Sequence, residues 1–131
     1  SGDVTDTHVA WHSTQAKCYV PSPVLVGKHL FVADDRGTAN CFNTEDGERL
    51  WQDRLGNHFS ASLITANGLA YFTADDGTTS LVRPGPKMNV VHKNSLGEFT
   101  FASPAISNGQ LFIRGEKHLF AIGQKKTVAA N

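Results

Sequence analysis

The stretch Ser22-Pro23-Val24-Leu25-Val26-Gly27-Lys28-His29-Leu30-Phe31-Val32 decides the fold, because the chain writes it three times. The second copy is Ser62-Leu63-Ile64-Thr65-Ala66-Asn67-Gly68-Leu69-Ala70-Tyr71-Phe72, 40 residues further on. The third is Ser103-Pro104-Ala105-Ile106-Ser107-Asn108-Gly109-Gln110-Leu111-Phe112-Ile113, another 41 residues on. The first two copies continue in register, with Gly37-Thr38 falling on Gly77-Thr78 and Cys41-Phe42 on Leu81-Val82. Leu55-Gly56 matches Leu96-Gly97 at an offset of 41. Self-similarity at a fixed period of this length marks a repeat architecture.

Working outward from the quoted stretch, each unit holds four short strands. In the first full unit they fall near 22–26, 29–33, 38–43 and 49–54. The turns between them are Gly27-Lys28, Asp34-Asp35-Arg36-Gly37 and Glu45-Asp46-Gly47. Gly and Asp in such turns tolerate positive φ or cap the backbone locally. Runs of Val, Leu, Ile, Phe and Thr separate them, and no helical period persists over a dozen residues. Four antiparallel strands in roughly 40 residues is a β-propeller blade. A blade cannot bury both of its faces alone, so blades occur in arrays.

The fold class is therefore all-β, with units at about 18–57, 58–98 and 99–123 and a tail at 124–131 expected to fray. A strand is predicted at 7–12, carrying Trp11, as the outermost strand of a blade preceding Ser22. Strands near 103–107, 110–114 and 118–122 then leave the last unit one strand short, for about twelve in all. Closed propellers have roughly four to eight blades. Three blades belong either to a longer protein or to an assembly, and two copies lending each other their first strands would make a six-bladed ring.

Composition narrows the function. Lys plus Arg equals Asp plus Glu at 12 each, so the basic field that nucleic acid or anionic lipid requires is lacking. No apolar run approaches the roughly 18 residues of a membrane helix. No secretory leader opens the chain, and Ser1-Gly2 leaves room for one having been removed. Cys18 and Cys41 fit no zinc spacing. Both are read as buried strand residues, with a single disulfide as the alternative.

The segment Asn43-Thr44-Glu45-Asp46-Gly47-Glu48-Arg49-Leu50-Trp51 resembles the tryptophan-docking repeat of the pyrroloquinoline-quinone-like propeller family. In that repeat an Asp, then Thr-Gly, then Trp follow at this spacing. Asn43 stands for the Asp and Asp46 for the Thr, while Gly47 and Trp51 match. Trp11 takes the Trp position of the preceding unit without the Gly turn. In the next unit His92 falls where Trp would be, and Arg83-Pro84-Gly85-Pro86 replaces the turn. The resemblance spans about residues 4–123. It implies a structural docking role for Trp11 and Trp51, whose rings fill the gap between blades. The family includes quinone-dependent alcohol dehydrogenases, an outer-membrane assembly lipoprotein and secreted propellers without a known cofactor, so it implies a periplasmic or secreted bacterial protein.

Catalytic chemistry is not evident in the residues. A quinone dehydrogenase needs calcium held by carboxylate and amide oxygens and a catalytic Asp. The carboxylates here cluster in hairpin turns, at Asp34-Asp35, Glu45-Asp46 and Asp75-Asp76, and no Cys-Cys pair occurs. His8 and His12 sit four apart, on one face of a strand, while His29, His58, His92 and His118 are scattered. Ser22, Ser62 and Ser103 recur in every unit, which is the behaviour of a packing residue. No catalytic, cofactor or metal residues are assigned. The expected binding face is the one shared by the loops entering the innermost strands and those between second and third strands. It carries Tyr19, Asp35, Arg36, His58, Phe59, Asp76, Phe101 and Lys117. The leading expectation is a non-catalytic scaffold or recognition module from a larger propeller, binding a protein or small ligand there. The alternatives are the C-terminal part of a quinone-dependent dehydrogenase, with quinone and calcium, and a self-associating structural unit.

Overall fold

The computed structural model describes residues 2–124. Three antiparallel sheets follow one another along the chain. Blade I is β1 (Val24–Val26), β2 (His29–Ala33), β3 (Thr38–Asn43) and β4 (Arg49–Arg54), paired in sequence order. Blade II repeats it with β5 (Ile64–Ala66), β6 (Leu69–Thr73), β7 (Thr78–Arg83) and β8 (Asn89–Ser95). Blade III comprises β9 (Ala105–Ser107), β10 (Gln110–Arg114) and β11 (Leu119–Ile122). The repeat extends to irregularities, since β3–β4 shifts register between Cys41 and Phe42 and β7–β8 between Leu81 and Val82.

Two expectations are corrected. Residues 7–12 form no strand: one α-helical turn, α1 (Thr5–His8), precedes an irregular run. A strand needs a ladder partner, and residues 9–12 have none among the described residues. The described strands therefore number eleven, and His8 ends a helical turn instead of sharing a strand face with His12. Cys18, expected in a buried strand, is exposed and precedes β1. Cys41 is buried in β3, where burial pushes its thiol up to about 11, and both thiols are free. The expected frayed tail lies outside the described residues apart from Gln124.

Stacking follows from strand alternation, which sends successive side chains to opposite faces. Phe31, Ala33, Ala39 and Cys41 of blade I form one core cluster with Ala70, Phe72, Ala74 and Val82 of blade II. Phe31 and Phe72 meet edge to face at 6.1 Å and 84°, and Phe59 adds a second edge contact on Phe72 at 5.9 Å. Such aromatic pairs contribute beyond their buried area. The other face of blade II pairs Thr73 with Thr79 through a buried hydroxyl–hydroxyl bond of 3.0 Å.

Between innermost strands the recurring serines explain themselves. Ser22 N–H donates to Ser62 Oγ at 3.0 Å, and Ser62 N–H donates to Ser103 Oγ at 2.9 Å. At the outer rim, Trp11 Nε1–H donates to Thr44 O at 2.8 Å and Trp51 Nε1–H to Gly85 O at 3.1 Å. Each indole thus reaches the turn between third and fourth strands of the next unit. Trp11 lies so close over Gly47 that a Cβ there would come within 2.6 Å of the ring. The turn between second and third strands is as tight: a Cβ on Gly37 would meet Gly56 O at 2.2 Å, and one on Gly77 would meet Glu98 O at 2.1 Å. Both glycines also hold positive φ, at 90° and 85°.

Phe72→Ala is expected to cost about 3–5 kcal/mol in urea unfolding, because it empties the centre of the blade I–II contact. Trp51→Phe, which keeps most of the ring and removes the N–H, is expected to cost about 0.5–1.5 kcal/mol in the same measurement.

Candidate functional site

The loops that enter the innermost strands and the turns between second and third strands meet along one face. They are held there by carboxylates that accept backbone N–H groups. In blade I, Asp35 Oδ1 accepts Tyr19 N–H and Val20 N–H, both at 3.3 Å. In blade II, Asp75 Oδ1 accepts Ser60 N–H at 2.8 Å, while its Oδ2 accepts Ser60 Oγ–H at 3.0 Å and His58 Nδ1–H at 2.7 Å. The main chain repeats the join, with Asp75 N–H donating to His58 O and Glu116 N–H to Phe99 O.

Blade III solves the same problem differently. Asp34 of blade I caps its own turn, accepting Arg36 N–H and Thr38 N–H at 2.9 Å. The equivalent position in blade III is Gly115, which has no side chain to do this. Glu98 reaches across instead, and a Cβ on Gly115 would overlap its carboxylate. Glu98 Oε1 accepts Lys117 N–H at 3.1 Å and His118 N–H at 3.0 Å, and Oε2 accepts His118 Nδ1–H at 2.8 Å. The hydrogen bond from the His118 ring, with smaller help from the two backbone donors, holds the Glu98 carboxyl below the usual carboxylate range. Glu98 carries no marking in its own repeat; the signal that could have found it was the glycine at 115.

The structure divides the expected face residues into three groups. Tyr19 (89% exposed) and Phe101 (65% exposed) present their rings to solvent. Arg36, Asp76, His58 and Lys117 are exposed around them, while Asp35 is half-buried in its capping role. Phe59 is a correction: it is 1% exposed and belongs to the blade I–II core. Its equivalent in the third unit, Thr100, is also buried, so this position points inward in both blades. The exposed neighbours missed in the sequence are Val20 and Phe99. Two residues of spacing put Phe99 and Phe101 on the same side of an extended loop. Beside this face, a cleft of about 290 Å³ between blades I and II is lined by Arg54, Asn57, Asp76, Thr78 and Lys93, among others.

Asp34, Asp35, Asp75 and Glu98 already accept N–H groups of the turns they close. Among the described residues no group of three or more His, Cys, Asp or Glu side chains gathers as a metal site. No helix there is long and apolar enough to cross a membrane.

In Glu98→Gln the carboxylate that closes the blade III turn is lost. Because its pKa is depressed in the fold, the stabilisation it provides is full above the ordinary glutamate value of about 4.3 and is lost as pH falls through the folded value. The variant is expected to be less stable than the parent at pH 7, with the difference closing in acid. Urea midpoints for both proteins at pH 7 and pH 3 check this.

Comparison with known proteins matches this geometry. A family model described as outer membrane protein assembly factor BamB covers residues 3–83. The outer membrane protein assembly factor BamB of Burkholderia pseudomallei is 26% identical over 113 residues, covering 85% of this chain and 29% of that protein. The crystal structure of BamB from Moraxella catarrhalis superimposes with a TM-score of 0.64 at 14% identity, over 76% of this chain and 32% of that one. This chain thus spans about 29% of the length of its curated relative. It is a stretch of pyrroloquinoline-quinone-like β-propeller blades, and it belongs to the outer membrane protein assembly factor BamB family.

Proposed function

We propose that the chain is a non-catalytic portion of a propeller scaffold, acting in outer membrane protein assembly on the periplasmic side and holding a protein partner on its loop face. The observation that carries this reading is the set of exposed aromatic rings at Tyr19, Phe99 and Phe101. They stand on loops that Asp35, Asp75 and Glu98 fix from beneath. Exposed aromatic side chains are costly to leave in water unless they meet a partner, and they dominate contact energy when they do. Arg36, Asp76 and Lys117 around them supply a polar rim of mixed sign. The membership in an assembly-factor family supports the biological setting. In this reading the chain takes no cofactor, since its turn carboxylates serve the loops themselves.

The test is binding of the chain to purified outer-membrane protein assembly machinery. Tyr19→Ala, Phe99→Ala and Phe101→Ala combined are expected to weaken binding at least about tenfold, equivalent to about 1.4 kcal/mol, with the unfolding midpoint nearly unchanged because all three rings are exposed. Unaltered affinity in the triple variant would remove the loop face as the docking surface.

A further inference from the structure

Each turn between second and third strands carries a backbone N–H, two residues in, that needs an acceptor. In blade I it belongs to Arg36, and Asp34 Oδ1 accepts it at 2.9 Å together with the Thr38 N–H. In blade III it belongs to Lys117, and Glu98 Oε1 accepts it at 3.1 Å together with the His118 N–H. A carboxylate thus stands at this station in both blades. It comes from the turn in one and from the crossing in the other. The two sources converge on one place, since a Cβ on Gly115, the equivalent of Asp34, would overlap the Glu98 carboxylate.

Blade II has neither source. Ala74 takes the station of Asp34 and Gly115, because Asp34 N–H donates to Thr38 O, Ala74 N–H to Thr78 O and Gly115 N–H to His118 O. Asn57 takes the station of Glu98, 41 residues earlier, and its Oδ1 accepts the N–H of its own neighbour His58 at 2.8 Å. The Asp76 N–H, which corresponds to those of Arg36 and Lys117, meets no acceptor among the described residues. Here the surface opens into the cleft of about 290 Å³ between blades I and II, with Ala74 and Asn57 on its wall. Arg54 and Lys93 line it too, both exposed and neither in an ion pair among the described residues. The one carboxylate on the wall, that of Asp76, is turned back to Thr78 N–H at 2.9 Å. At the II–III junction Ser95 stands opposite Thr78 as Arg54 stands opposite Thr38, and Glu98 supplies the carboxylate from within.

We infer that this cleft receives a carboxylate from outside the chain, the side chain of an Asp or Glu on a protein partner. That carboxylate takes the station that Asp34 and Glu98 fill in the other two blades. It accepts the Asp76 N–H and is neutralised by Arg54 and Lys93. Hydrogen bonds to an ionised acceptor are roughly twice as strong as neutral ones. Two cations against one carboxylate leave the wall with net positive charge, which draws an anion in. The choice of a carboxylate over other anions comes from the chain itself, which sets that group on the same donor in blades I and III. The inference shares with the loop-face reading only the premise of a protein partner. Its test is made without that partner, so either can fail alone.

The probe is the peptide Gly-Gly-Glu-Gly-Gly with both ends blocked, whose one carboxylate is the Glu side chain. The same peptide with Gln is the control. Amide chemical shifts of the isotope-labelled chain are followed as each is added at constant ionic strength. The Glu peptide is expected to move the Asp76 amide saturably, and the Gln peptide to leave it in place. Arg54→Gln and Lys93→Gln together, both surface changes, are expected to weaken binding about tenfold. Ala74→Asp gives the turn of blade II the carboxylate of blade I. It is expected to shift the Asp76 amide by itself and to abolish the response to the peptide. An Asp76 amide indifferent to the Glu peptide overturns the inference. So does a response that the Gln peptide matches, that survives Ala74→Asp, or that is undiminished when both cations are removed.

Discussion

The edge-to-face contact of Phe31 on Phe72 is the interaction from which the rest of the structure hangs. A blade of four strands, some only three residues long, has too little interior to be stable alone. Its two faces become an interior only when a neighbour covers them. Phe31, Cys41 and Ala39 supply one side of that interior; Phe72, Ala70 and Val82 supply the other. The two phenylalanine rings meet at the centre of the contact, and the small side chains of Ala33, Ala39, Ala70 and Ala74 belong to the same buried cluster. The repeat is thus in part a packing requirement written along the chain: the station of Phe31 is aromatic in every unit, as Tyr71 and Phe112, because each unit is both a floor and a ceiling.

Close stacking makes demands on the connections. A chain leaving the outer rim must cross to the innermost strand of the next blade past the turn between second and third strands. Gly37 and Gly77 leave room for that crossing, and their carbonyls accept Leu55 N–H and Leu96 N–H from it. The crossing then carries backbone donors away from any ladder, and these need acceptors. Asp35 and Asp75 meet the need from the next turn, while Glu98 works the other way, standing in the crossing and accepting the turn's Lys117 and His118 N–H groups. The loop face is therefore a by-product of closing the blades, and its rigidity is what makes its exposed rings usable for recognition.

The repeated apolar runs of 22–32, 62–72 and 103–113, with their turn residues, made the strands and their order readable before any coordinates. Local rules suffice there, because a positive-φ turn such as Asn67-Gly68 forces a hairpin wherever it stands. Residues 7–12 show where such rules end. Trp11 marks the station of an outer strand, but strand geometry depends on a neighbour, and none is supplied by the described residues. Phe59 failed for a related reason: loop position suggested exposure, while the parity of an extended segment against blade II turned the ring inward.

What the sequence by itself determined is the period, the strand stations, the turn chemistry and hence the blade and its family. These follow from side-chain pattern and backbone preference within a single unit of about 40 residues. What only the tertiary structure decided is which side chains lie between blades and which face water, that Glu98 replaces the missing side chain at Gly115, and that Cys18 is exposed while Cys41 is buried. Those outcomes depend on contacts between residues of different units, and a pattern repeated in each unit carries no information about what the neighbouring unit brings against it.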